Sequence, residues 1–196
     1  MRIASIGDSF TEGVGDDLPH GGVRGWADLV AAGLAAGLDE PVEYVNVAIR
    51  GRLIEPIVHE QLEHVLGLDP LPTVVTFNGG GNDMMRPGFD LHRIMELIEM
   101  SIDRCDAAGV ELLLLSGGDP TARLPRGAMM SQRGKIYLDA VADLLERRPD
   151  QPFVDNWSDT ELARAPYWSA DRLHLNALGH SRVAARVLTH LGVETA

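Results

Sequence analysis

The sequence predicts an α/β fold, a three-layer α/β/α sandwich built on a five-stranded parallel sheet. Three observations lead there. Short apolar runs alternate with longer amphipathic stretches five times along the 196 residues. Several of those runs end abruptly in Gly, Asn, Asp or Ser, the residues that turn a chain out of a strand. The length and a hydrophobic content of 45% suffice for one large core, so a single domain over residues 1–196 is expected.

Taken in order, Ile3–Ile6 reads as the first strand. Trp26–Leu38 follows as a helix with Trp26, Leu29, Val30 and Leu34 along one side. Val42–Val47 is the second strand and Leu53–Leu66 the second helix. Thr73–Phe77, rich in β-branched and aromatic residues, is the third strand, ended by Asn78 and three glycines. Leu91, Ile94, Met95, Ile98, Ile102 and Cys105 keep helical spacing until Gly109 stops the helix. Val110–Leu115 is a nearly all-apolar fourth strand, Ala128–Arg147 a helix, and Pro152–Val154 a short fifth strand. A closing helix starts at about Ala177 and carries the stripe Ala184, Val187, Leu188 and Leu191.

In parallel sheets of this kind, active groups gather outside the carboxyl ends of the strands. Ser9, Asn46 with Gly51, and Asn82 all follow predicted strands. Near the other end, Asp171 and His174 stand three residues apart. That spacing predicts one helical turn presenting both side chains on one side. A serine hydroxyl becomes a good nucleophile when a base takes its proton, and a carboxylate can hold that base in the right tautomer. The negative oxygen that then forms needs donors worth roughly 3 kcal/mol each, and the candidates are the N–H of Ser9, the N–H of Gly51 and the Asn82 amide.

These residues fall in four blocks: Gly7-Asp8-Ser9, Asn46 with Gly51 five positions on, Gly80-Gly81-Asn82-Asp83, and Asp171-Arg172-Leu173-His174. Together, and in this order, they resemble the SGNH hydrolases, the GDSL-type esterase/lipase family. The blocks extend across nearly the whole chain, and none of the quoted positions departs from the pattern. The resemblance implies a flavodoxin-like fold, Ser9 as nucleophile, Asp171 and His174 completing a triad, and Ser9, Gly51 and Asn82 forming an oxyanion hole. It implies hydrolysis of a small-molecule carboxylic ester through an acyl-enzyme. The Gly-x-Ser-x-Gly elbow of the α/β-hydrolases is absent from the sequence. Short-chain acyl or acetyl esters are the expected substrates, because no long apolar lid stands out. Two other readings stay open at this stage: an O-acyltransferase using the same triad, and a non-catalytic module binding a sugar or nucleotide.

Phe10, Arg50 and Trp168 are candidate substrate contacts, with Met129, Met130 and Tyr167 as further wall residues and Arg123 and Arg126 as possible anion partners. No metal and no organic cofactor is expected: His20, His59, His64, His92, His180 and His190 lack metal-ligand spacing. His180 is a decoy base without a carboxylate at the matching offset. The single cysteine, Cys105, sits on a helix stripe and reads as a core residue. A net charge of −12 disfavours nucleic-acid backbones and anionic lipid surfaces, so neither nucleic acid nor stable membrane association is expected. Arg2–Ile6 is too short for a signal peptide's apolar segment, which makes the expectation cytoplasmic. The residues specify no oligomeric state.

Overall fold

The computed structural model of the protein describes residues 1–38, 40–121, 124 and 127–193. Strand β1 (Arg2–Ile6) pairs in parallel with β2 (Glu43–Asn46) on one side and β3 (Val74–Phe77) on the other. Strands β4 (Glu111–Leu115) and β5 (Phe153–Val154) continue the sheet beyond β3, giving the order β2-β1-β3-β4-β5 with every pairing parallel. Neighbours of β1 therefore leave in opposite directions, so the topological switch point lies at its carboxyl end.

Alternate side chains of each strand enter different cores, as a pleated backbone requires. Ala4, Ile6, Val75, Phe77, Leu112 and Leu114 face one layer of helices, α6 (Leu91–Ala108) and α7 (Gly127–Arg147) with a helical stretch over residues 54–66. Ile3, Val74, Leu113 and Leu115 face the other layer, α2 (Trp26–Gly37) and α8 (Ala177–His190). Trp26 and Phe77 are the largest of the fully buried side chains. Each such side chain contributes roughly 1.5–3 kcal/mol on leaving water. Cys105 is buried on the α6 stripe as expected, and burial pushes its thiol up to about 11.

The helix boundaries have local causes. Asp90 caps α6 by accepting from the Arg93 N–H, and Gly109 ends it in the left-handed conformation. Asn176 caps α8 by accepting from the Leu178 and Gly179 N–H groups. The stretch over 54–66 differs from the uniform helix expected: α3 (Ile54–Pro56) and α4 (Glu63–Leu66) flank a π-helical segment, Ile57–Leu62. Two short helices went unread in the sequence, α1 (Ser9–Glu12) and α5 (Gly81–Met84), because four residues are too few for a periodic signal. Among the described residues, no helix is long and apolar enough to cross a membrane.

Candidate active site

Strand β1 delivers the chain to Gly7, whose buried N–H and carbonyl both bond one side chain, the carbonyl also accepting from the Ile49 N–H at 3.2 Å. The Gly7 N–H donates to Gln61 Oε1 at 2.8 Å, and Gln61 Nε2 donates to the Gly7 carbonyl at 3.0 Å. Gln61 belongs to the π-helical segment, a local widening that recurs at functional sites. Asp8 then caps α1: its Oδ1 accepts from the Phe10 N–H at 3.0 Å. Ser9 is the first residue of α1, and its own N–H has no partner among the described residues.

His174 arrives from the far end of the chain, just before α8. Asp171 and His174 do not share the helical turn their spacing predicts. They lie in a tight loop closed by the Trp168–Leu175 bridge and by Ser169 N–H donating to the His174 carbonyl at 2.8 Å. Arg172 inside that loop has φ +64°, which no right-handed helix allows. The loop draws three donors onto Asp171 Oδ1: the Ser169 hydroxyl at 2.6 Å, the Leu173 N–H at 2.9 Å and the His174 N–H at 3.0 Å. Partial burial pushes the Asp171 carboxyl up, but these bonds and the His174 ring outweigh it and hold the group well below the usual carboxylate range.

Asp171 Oδ2 lies 2.6 Å from His174 Nδ1, and His174 Nε2 lies 3.1 Å from Ser9 Oγ. A carboxylate only accepts, so the proton sits on Nδ1 and the Nε2 lone pair faces the serine hydroxyl. The two segments meet this closely because of Gly15. A Cβ there would lie 1.9 Å from the Leu175 carbonyl oxygen, so any larger residue would push the histidine loop away from the serine.

Gly51 and Asn82 line the same cavity as Ser9. The Gly51 N–H, like that of Ser9, has no partner among the described residues. The Asn82 amide is already engaged: Nδ2 donates to Asp8 Oδ2 at 2.9 Å and to the Arg52 carbonyl at 3.0 Å. A substrate oxygen at Asn82 must share one of these two protons. Asp83 beside it accepts from the Ile54 N–H at 3.0 Å and so starts α3. Asn46 contacts no open volume of the cavity. Its amide donates to the Thr11 carbonyl at 3.0 Å and its carbonyl accepts from the Ala48 N–H at 3.0 Å, tying the end of β2 to α1.

Arg50 lines the cavity mouth, but its charge is taken. Glu12 accepts from the Arg50 backbone N–H at 2.6 Å and from its guanidinium at 2.6 to 3.0 Å. Burial is the largest single influence and raises the Glu12 carboxyl, but the hydrogen bonds and charge of Arg50 together more than reverse it, leaving the group below its ordinary value. The pair pins the Gly51 loop to α1. His180, the decoy, is fully buried away from the serine: Nδ1 accepts from the Trp26 N–H and Nε2 donates to the Val14 carbonyl, both at 3.2 Å. Burial lowers its pKa and keeps it neutral.

The cavity has a volume of about 360 Å³. Phe10, Met130 and Trp168 line it as expected, whereas Met129 and Tyr167 do not, and Arg123 and Arg126 lie outside the described residues. The wall also contains Met84, Tyr137 and Trp157, which the sequence did not single out. Met130 and Tyr137 belong to the apolar stripe of α7, so their signal is the same one that marks ordinary core residues. Among the described residues, no group of three or more His, Cys, Asp or Glu side chains is disposed to hold a metal ion.

The fold recurs in solved structures. The hydrolase LAE5 from the metagenome of Lake Arreo, Spain, superposes with a TM-score of 0.78 at 22% identity, covering 100% of this chain and 96% of that one. An acetylxylan esterase from Geobacillus stearothermophilus gives 0.76 at 20%, covering 98% and 94%. The psychrotrophic esterase EstA from Pseudoalteromonas sp., inhibited by monoethylphosphonate, gives 0.72 at 16%, covering 97% and 96%. These likenesses establish the architecture. A search of curated proteins gives no match. The model of the GDSL-like Lipase/Acylhydrolase family matches residues 5–182, and with those residues the chain belongs to that family.

Proposed function

We propose that the protein is a serine ester hydrolase that cleaves carboxylic esters through an acyl-enzyme. The observation that carries this reading is the unbroken line from Asp171 through His174 to Ser9, with contacts of 2.6 and 3.1 Å. Family membership supports ester chemistry in general.

Ser9 Oγ attacks the ester carbonyl carbon while His174 Nε2 takes its proton, and Asp171 stabilises the imidazolium that results. The carbonyl oxygen, now negative, receives the free N–H groups of Ser9 and Gly51 and a shared proton of the Asn82 amide. The tetrahedral centre collapses, the bond to the alcohol oxygen breaks, and His174 returns its proton to that oxygen as the alcohol leaves. Water, deprotonated by the same imidazole, then attacks the acyl-serine and releases the acid and Ser9. Phe10 and Trp168 act as walls, and Arg50, already neutralised by Glu12, acts on the loop rather than on an anionic substrate.

The test is labelling by a fluorophosphonate, which bonds covalently to an activated serine. A phosphonate also inhibits the Pseudoalteromonas esterase that shares this fold. The wild-type protein should label and hydrolyse p-nitrophenyl esters. Ser9→Ala should do neither, with kcat down by several orders of magnitude and the fold unchanged. Equal labelling of the two proteins removes Ser9 as the nucleophile.

A further inference from the structure

We propose that the inner end of the active-site cavity binds the acyl half of the ester and selects a chain of about four to eight carbons over acetyl. This rests on the ester-hydrolase reading above and deepens it.

The cavity has two unlike ends. Arg50, Gly51 and Met85 at its mouth are exposed, whereas Met84, Met130 and Tyr137 at the other end are each at most 5% exposed. The wall at this end is largely apolar, two thioethers and a phenol ring, with Trp157 beside them. The Ser116 and Asn78 side chains nearby are committed elsewhere. Ser116 Oγ accepts from the Asn156 and Trp157 N–H groups at 2.8 and 2.9 Å and lies 3.2 Å from Asp155 Oδ1, and the Asn78 amide donates to the Leu115 carbonyl at 3.0 Å. A sugar hydroxyl there would lose water without gaining partners from these groups. An alkyl chain loses nothing.

The direction of the chemistry assigns this end to the acyl group. His174 enters from the face of the sheet that carries α2 and α8, since its neighbours Trp168 and Leu175 belong to that core. Met84, Met130 and Tyr137 belong to the core on the opposite face. The imidazole must reach the leaving alcohol, so the alcohol lies on the His174 side. The acyl chain then points across the sheet edge into the apolar end.

The volume of the whole cavity, mouth included, sets the upper bound on the chain. About 360 Å³ holds roughly a dozen water-sized groups at about 30 Å³ each, and the carbonyl and alcohol oxygens take only some of them. The wall is also firmly set. A Cβ on Gly134, in the middle of α7, would lie 2.1 Å from the Trp157 ring, so the helix leaves a side chain out where the indole packs. Acetyl, the other end of the sequence expectation, would leave most of this wall facing empty space.

The experiment uses the full chain and two substrate series: p-nitrophenyl esters from acetate to decanoate, and butyrate esters of alcohols from methyl to octyl. Burying one methylene changes kcat/KM by up to about fourfold, so hexanoate should exceed acetate by at least about tenfold. The alcohol series should vary far less. Met130→Ala should move the optimum to longer chains, and Met130→Trp should cut the hexanoate-to-acetate ratio by about tenfold. Two variants of opposite effect keep the proposal testable if one of them folds poorly. Ser9-dependent turnover that is fastest with acetate, or that tracks the alcohol instead, overturns the pocket assignment and leaves the hydrolase standing. No Ser9-dependent turnover of any ester overturns both.

Discussion

Asp8 is a buried carboxylate holding the start of α1 with one oxygen and the Asn82 amide with the other, and Asp8→Asn separates its two effects. Burial pushes its carboxyl up to about 6, against the Phe10 hydrogen bond and the charge of His174, from an ordinary 3.8. The folded protein thus holds this proton more tightly than the unfolded chain does. The group's contribution is most favourable below pH 3.8 and is lost as pH rises through about 6, a change of about 3 kcal/mol in all. Asparagine carries no such term, and its carbonyl can still cap Phe10. Its NH₂, however, would face the NH₂ of Asn82, two donors at a 2.9 Å contact. Asn82 must turn, giving up its bond to Arg52 and its donor toward the substrate oxygen. Between pH 4.5 and 7.5, urea unfolding should show the variant gaining on the wild type by about 2 kcal/mol, the part of the full change that falls in this window. At the same time, kcat on p-nitrophenyl butyrate should fall by about a hundredfold. Parallel pH–stability curves would refute the buried charge, and kcat within about threefold of wild type would refute the Asp8–Asn82 coupling.

Two other side chains invite tests. Gln61→Leu strips the Gly7 N–H of its described partner in a buried setting and leaves the Gly7 carbonyl only the Ile49 N–H, which should cost about 1–3 kcal/mol in chemical denaturation. A loss below about 0.5 kcal/mol would mean that other groups take over the bracing of the serine turn. His180 is neutral when folded, so acid favours the unfolded chain: its contribution is complete above pH 6.5 and shrinks as pH falls from there toward the lowered folded value. His180→Gln offers one acceptor and one donor without a titrating group, and its melting temperature should fall less than that of the wild type between pH 7.5 and 5.5. Equal slopes would show that folding does not disfavour protonation of the ring.

The residue pattern alone determined the sheet, the helix layers and the four segments that meet at one cavity. Strand and helix leave periods of two and of 3.6 in the apolar residues, and those periods survive in one dimension. Ser9, Gly51, Asn82, Asp171 and His174 were legible for a related reason: Gly, Asn, Asp and Ser where apolar runs break are conspicuous. The loop around Arg172 was not legible, because a three-residue spacing fits a helical turn and a tight turn equally well. Only the bridge from Trp168 to Leu175 decides between them. The commitments of Asn82 to Asp8 and of Arg50 to Glu12 join residues 74 and 38 positions apart, and no local pattern encodes such pairs. The apolar wall of Met84, Met130, Tyr137 and Trp157 was hidden most completely. A side chain lining a cavity and one filling a core satisfy the same periodicity, and what separates them is whether the space in front is empty, a property of the packed chain and not of its order.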